Sequence, residues 1–343
     1  MAFPLPPARI SAMEARIAEE LPRGPWQFEP KWDGFRCLAF KAGTDVELMA
    51  KSGKPLTPYF PEVAAALAGL PGDWVLDGEL VIPVGAALSF DALQMRLHPA
   101  ESRRRKLAAE TPAVLILFDL LADGKRDFTA EPLTVRRAAL EKRAARFGQE
   151  PRLRLSPFTR SRATACRWLG QAGRGTLDGV IAKALDGPYA CGERAMVKVK
   201  NLKSADCVVG GFRFASGSPL VGSLLLGLFN RDGKLDHVGF TSGFADQDRA
   251  ALTKKLLALK GAPGFSGNAP GGPSRWSGER SAEWVPLKNR LIAEVRYDHV
   301  TDGRFRHGTK FLRWRPDKAV KSCTFDQLQP EARPSRVVAA LFR

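Results

Sequence analysis

The chain of 343 residues is 44% hydrophobic and 26% charged, enough apolar material for packed cores, which excludes the disordered class and makes two domains the natural expectation. Lys and Arg number 53 against 36 Asp and Glu, a net charge of +17, so a polyanion is the expected large partner. No apolar run approaches the ~20 residues of a membrane span and the opening Met-Ala-Phe-Pro-Leu-Pro-Pro lacks the regions of a signal peptide, so a soluble, unexported protein without a membrane partner is expected.

Taken in chain order, apolar spacing predicts a helix over residues 10 to 21, short strands within 27 to 40 and 46 to 50, and a second helix over 59 to 70. Strand character follows at 74 to 82, a helix at 90 to 109, a strand at 114 to 118, helices at 133 to 147 and 162 to 172, and strands at 179 to 183 and 195 to 200. Helices and strands interleave without a regular βαβ alternation, so this region is α+β. From Asp206 the texture changes to short apolar runs broken by Gly, among them Cys-Val-Val-Gly-Gly-Phe and Ser-Leu-Leu-Leu-Gly-Leu-Phe, the spacing of a small β-barrel. A helix over about 246 to 260 interrupts those strands, and the Gly- and Pro-rich stretch at 261 to 273 reads as a mobile loop. The expected division is 1–203, 204–330, and a tail, 331–343, that carries no signal. Cys37, Cys166, Cys191, Cys207 and Cys323 are odd in number and none has the C-x2-4-C spacing of a zinc site, so they read as reduced thiols of a cytosol.

The stretch Glu29-Pro30-Lys31-Trp32-Asp33-Gly34-Phe35-Arg36 sets a lysine between two runs of strand character, with Gly34 to permit a tight turn. An amine attacks phosphorus or carbonyl only when neutral, so Lys31 as a nucleophile needs burial or neighbouring cations; alone it reads equally as a surface lysine before an Asp-Gly turn. Asp77 and Glu79 are two apart and on a strand share one face. Phe118 follows the buried run Val114-Leu115-Ile116-Leu117, as core or as a stacking platform. Asp178-Gly179-Val180-Ile181-Ala182-Lys183 repeats the layout of acid, Gly and strand, and strict alternation would put Asp178 and Lys183 on opposite faces unless the strand bends or Lys183 lies at its end. Lys198 and Lys200 share a face, where their repulsion points either to an anion between them or to a lysine-protected edge strand. A lysine nucleophile, carboxylates for a hard cation, an aromatic platform and a cationic pair are the parts of phosphoryl transfer, and the lack of a G-x-x-x-x-G-K-[ST] loop excludes the P-loop route.

Six motifs in order, Lys31-x-Asp33-Gly34, Asp77-Gly78-Glu79, Phe118-Asp119-x-Leu121, Asp178-Gly179-x-x-x-Lys183, Lys198-x-Lys200 and Arg315-x-Asp317-Lys318, make the chain resemble the ATP-dependent DNA ligases of the covalent nucleotidyltransferase superfamily. The resemblance spans nearly the whole chain and is greatest to the short bacterial repair ligases built from an adenylation domain and an OB domain. It implies that Lys31 attacks the α-phosphate of ATP, that the AMP passes from lysine to the 5′-phosphate of a nick, and that the 3′-hydroxyl displaces it. By the same resemblance Glu29 recognises adenine, Phe118 stacks on it, and Arg36 faces phosphate or the nicked end. Glu79 contacts ribose or metal, Asp178 holds the metal, Mg2+ or Mn2+, and Lys198 and Lys200 meet the α-phosphate. Lys51 and Lys183 belong to the nucleotide contacts, while Arg315 and Lys318 orient pyrophosphate, for which the OB domain must swing on a hinge near residues 201 to 206. The chain departs from the family pattern in Asp178 for Glu, Lys51 for Arg and Met196 for Trp.

ATP rather than NAD is implied, because the cysteine spacings cannot build the zinc module of the NAD-dependent enzymes. Nicked duplex DNA is the implied substrate, a repair polymerase or end-binding protein the implied partner, a monomer in the cytoplasm at the nucleoid the implied state. Two other readings stay open on the residues alone: an RNA ligase or capping-type nucleotidyltransferase, and a non-catalytic nucleic-acid-binding OB protein.

Overall fold

The computed structural model describes residues 2–173, 177–271, 283–298, 300–301, 303–305, 308–328 and 335–342. The chain divides into two compact units, Met1–Asn201 with Ala332–Arg343, and Leu202–Glu331. The last positions of the expected loop, 272 and 273, and residues 331 to 334 and 343 of the expected tail lie outside the described residues.

Unit 1 runs β1 (Ala15–Ala18), β2 (Trp26–Trp32), β3 (Phe35–Ala42), β4 (Asp45–Ala50), α1 (Pro61–Ala68), β5 (Trp74–Val81), α2 (Phe90–Met95) and α3 (Glu101–Glu110). It continues through β6 (Val114–Asp123), α4 (Leu133–Ala144), β7 (Leu153–Leu155), α5 (Arg162–Leu169), β8 (Leu177–Ala184) and β9 (Met196–Val199). One sheet has the order β1-β9-β8-β2 and the other β7-β6-β5-β3-β4, antiparallel except for the pairs β1–β9 and β7–β6. The unbroken apolar run of β6 follows from burial on both faces. Leu76, Leu115 and Leu117 pack with Val63 and Leu67 of α1 and Leu140 of α4, while Val81 and Ile116 meet Trp32 and Leu177 of the other sheet.

Two expectations fail here. Residues 10 to 21 are not a helix: β1 pairs in parallel with β9, Ala15 to Met196 through Ala18 to Val199, and Ile10 and Met13 enter the core from irregular backbone. Their spacing imitates a helical face, but the edge of β9 supplies the hydrogen bonds a helix would have made internally, a tertiary contact overriding local pattern. Nor is 90 to 109 one helix. Ser89 caps α2, its hydroxyl accepting from Ala92 N at 3.1 Å, and the chain breaks before Pro99, which disfavours helical backbone at His98. Between the two helices the fully buried Arg96 makes a bidentate pair with Glu62 at 2.8 and 2.7 Å.

The main elements of unit 2 are β10 (Lys203–Phe214), β11 (Val221–Phe229), β12 (Leu235–Ser242), α6 (Asp246–Leu257), β13 (Ile292–Tyr297) and β14 (Thr309–Trp314). Strand β10 pairs with both β11 and β13, so the order β10-β11-β12-β14-β13 closes on itself into a five-stranded barrel. The β12–β14 pair is parallel and α6 lies between the third and fourth strands in sequence, the arrangement of an OB fold. Val208, Leu224, Leu226, Val238, Ile292 and Val295 fill its interior.

The chain then returns to unit 1 as α7 (Arg336–Leu341). Gln171 accepts from the Ser335 hydroxyl at 3.0 Å and from Arg336 N at 3.1 Å, Arg154 Nε donates to Leu341 O at 3.0 Å, and Val338 is buried.

Candidate nucleotide site

A cavity of about 200 Å3 in unit 1 is lined by Glu29, Lys31, Arg36, Lys51, Glu79, Phe118, Lys183 and Lys198, with Met13, Glu14, Ile181 and Met196 among its walls. Glu29 and Lys31 alternate correctly on β2 to reach one face. The turn from β2 to β3 brings Arg36 beside them, and Gly34 is needed there for close approach: a Cβ would strike the carbonyl oxygen of Leu80 on β5.

The Lys31 ammonium pairs with Asp178, whose other oxygen lies 3.1 Å from Lys200 Nζ. The carboxylate therefore lies between two lysines, and β8 does bend to bring it there. Its ladder with β2 slips between Leu177 and Gly179, and Gly179 at φ +141° passes so near Val199 that a Cβ would strike that residue's carbonyl oxygen. With the slip, Asp178 meets Lys31 and Lys183 meets Glu29, two residues apart on one face of β2. Lys183 is buried, its Nζ 2.9 Å from Glu29 Oε2, 3.3 Å from the carbonyl of Phe118 and 4.0 Å from Asp119. The other oxygen of Glu29 accepts from Gln27 Nε2 at 2.8 Å, so the carboxylate is held at both ends.

Phe118 carries two cations on its ring: Arg36 with its guanidinium 4.5 Å from the centroid and Lys183 with its ammonium at 4.6 Å. Arg36 is fixed by Asp77, Nε to Oδ1 at 2.6 Å and Nη2 to Oδ2 at 2.5 Å, and the Tyr189 hydroxyl donates to Oδ2 at 2.5 Å. Burial opposes the Arg36 cation, but Asp77 outweighs it and raises its pKa above the usual arginine value. Tyr189 is raised well above the phenolic range by burial and then by Asp77. Burial pushes the Glu79 carboxyl up to about 7 although Lys31 and Arg36 pull it down. Lys198 is lowered by burial and by the charges of Lys31, Lys200 and Lys51. Lys51 itself pairs with Glu14 at 2.9 Å.

Arg315 and Lys318 are not in unit 1. On the barrel, Arg315 Nη1 lies 3.0 and 3.1 Å from the two oxygens of Asp206, and Lys318 pairs with the same buried carboxylate. Hydrogen bonding from Arg315 also holds Asp317 down to about 2. Among the described residues no three metal-ligating side chains cluster. Sequence reasoning missed Tyr189, Gln27, Glu14 and Asp206; only Gln27, two residues from Glu29 on one strand face, left a local signal.

The family model for the ATP dependent DNA ligase domain matches residues 8–200, and that for the ATP dependent DNA ligase C terminal region matches residues 217–318. DNA ligase C2 of Mycolicibacterium smegmatis is 45% identical, the match covering 98% of each chain, and DNA ligase C of Mycobacterium tuberculosis is 42% identical, covering 96% of each. The multifunctional non-homologous end joining protein LigD of Pseudomonas aeruginosa is 31% identical over 93% of this chain and 37% of its own. Matched along both units, the chain belongs to the ATP-dependent DNA ligases, enzymes that seal nicks through a lysyl-AMP intermediate.

Proposed function

We propose that Lys31 is the lysine that carries AMP in this ligase. What supports the reading above all is its Nζ on Asp178 at the wall of a cavity that also holds Glu79, Phe118 and Lys198. In the adenylation step the Nζ lone pair forms a bond to the α-phosphorus, the bond from that phosphorus to the bridging oxygen breaks, and the electron pair leaves with pyrophosphate. The attacking amine must first give up its proton and its pairing with Asp178. Lys198 and Lys200 then face the charge on the α-phosphate oxygens, preorganised cations in a partly desolvated site.

Glu29, pinned by Gln27 and Lys183, presents a fixed acceptor to the amino group of adenine, and Phe118 offers its ring to the base. Arg36, tied to Asp77, is assigned to phosphate, and Lys51 and Lys183 to nucleotide contacts. Arg315 and Lys318 are assigned to pyrophosphate by their motif. The donor set fits a hard divalent ion, since Mg2+ is commonly held by one or two carboxylates together with substrate phosphates. Glu79, a carboxyl kept costly to ionise by burial, and Asp178 would hold Mg2+ or Mn2+, which supplies charge neutralisation at the phosphates when bound.

Nicked duplex DNA is the substrate of the family, and the +17 charge suits it. Action in repair beside a polymerase or end-binding protein fits the likeness to a relative named for end joining, and a cytoplasmic, nucleoid-associated monomer is the state we assign to it. Incubation with labelled ATP and Mg2+ should label the wild type and leave Lys31→Ala unlabelled. Label retained on that variant, or label from GTP alone, would overturn the assignment.

A further inference from the structure

A cleft of about 410 Å3 in unit 1 shares no lining residue with the nucleotide cavity. Its floor is apolar, formed around Phe128 and Val135, and its rim sets Arg126, Lys142, Arg143 and Arg146 against one carboxylate, Asp123. Cations in the last turn of α4 answer the helix dipole, which accounts for Lys142 and Arg143. It does not account for Arg146, from the turn beyond the helix, while Arg126, from a short strand after β6, is paired with Glu131 at 2.8 Å.

Arg143 is 6% exposed, pairs with Asp123, and donates to Pro71 O at 3.3 Å, yet its Nε is shielded from water and meets no acceptor. Gly72, at φ +82°, lies against its guanidinium, where any Cβ would crowd Nη1, so the backbone is shaped around this cation. Burial and then the charge of Arg146 press its pKa down. Asp123 pairs with Arg143 and Glu131 with Arg126, and among the described residues no ion pair joins Lys142 or Arg146, so these two carry the charge the protein leaves unneutralised. The Arg126 guanidinium lies over the Phe128 ring, 4.3 Å from its centroid, and both residues line the cleft.

We propose that this cleft is a second phosphate-binding site, in which Lys142, Arg143 and Arg146 receive the phosphate group of a free nucleotide or of the DNA backbone. Lys142 and Arg146 are exposed and supply the first contacts; the Arg126–Phe128 pair provides a face on which a base can lie.

The double variant Lys142→Glu with Arg146→Glu tests this in the full chain, pre-incubated with ATP so that the nucleotide cavity is filled, then freed of metal. Lys31 labelling by ATP should be unchanged, which shows the variant is folded; if it is not, Lys142→Gln with Arg146→Gln replaces it. AMP and pyrophosphate are titrated calorimetrically, and nicked duplex is titrated over a salt series. A nucleotide source predicts small-anion binding in the wild type that falls at least tenfold in the variant. A backbone source predicts a shallower dependence of log affinity on log salt, by about one for each lost contact, beyond the change given by Arg105→Glu with Lys106→Glu on α3. No small-anion binding in the wild type, together with a salt slope altered no more than by the α3 pair, overturns the proposal.

Discussion

At the scale of single residues, Glu79 is a cavity-wall carboxyl whose ionisation the fold shifts upward. Buried among Lys31, Arg36, Asp77 and Asp33, it is raised from 4.5 to about 7, burial outweighing the two cations. A folded pKa above the unfolded one means that the native state holds the proton more tightly. The stabilisation is complete below about 4.5 and is lost as pH climbs through 7. Glu79→Gln lacks this dependence. Urea denaturation at about pH 5 and about pH 8 should therefore show the wild type losing stability relative to the variant by up to ~3 kcal/mol, less to the degree that water reaches the half-buried side chain. A difference between the two proteins that does not move with pH would remove Glu79 from the desolvated wall. Glu29, Lys31, Phe118 and Lys183 line one cavity, and the sequence singled them out through the order of the motifs and the family resemblance rather than through spacing alone, since strict alternation on β8 argued against Lys183. Tyr189 was not singled out: it completes the Asp77 carboxylate from 112 positions away, and no local pattern encodes that hydrogen bond.

At the scale of elements, β8 determines whether the acid and the lysine of its motif work together. A regular strand would turn Asp178 away from Lys183, and the slip at Gly179 is what reconciles them. The strand was readable from its apolar run, and the conflict between its two ends was readable too; the bulge that resolves it depends on how closely β9 passes. Gly179→Ala places a Cβ at positive φ against the Val199 carbonyl, so one of the two must move. The expected cost is about 2 kcal/mol or more in thermal or urea unfolding, with lysine labelling reduced even at temperatures where the variant remains folded. Full labelling at wild-type stability would mean that the slip is dispensable. The opposite lesson comes from residues 10 to 21, where apolar spacing was real but belonged to a segment completed by β9 rather than by itself.

At the scale of the whole molecule, chain order matters more than composition. The barrel is a closed ring of strands contained within Leu202–Glu331, whereas unit 1 draws on both sides of it in sequence. Helix α7 is part of the support of the strand end that carries Lys31: Val338 belongs to the same apolar cluster as Trp32, the neighbour of Lys31, together with Val81 and Ile116. Its start is capped by Ser335, whose hydroxyl accepts from Val337 N at 3.2 Å, and that hydroxyl is itself anchored to Gln171 after α5. Losing one buried valine contributes about 1.5–3 kcal/mol and losing the cap about 1. A chain ending at residue 334 should therefore lower the unfolding free energy of unit 1 by roughly 2–4 kcal/mol. The barrel, whose core contains none of these residues, should melt as before. Because the lost contacts lie behind Trp32, lysine labelling should become temperature-sensitive in the truncated chain. Ser335→Ala should reproduce a smaller part of the same effect. Differential scanning calorimetry of the three proteins, with labelling measured across the same temperatures, separates the two units. If truncation shifts the barrel transition and spares that of unit 1, α7 has been assigned to the wrong unit.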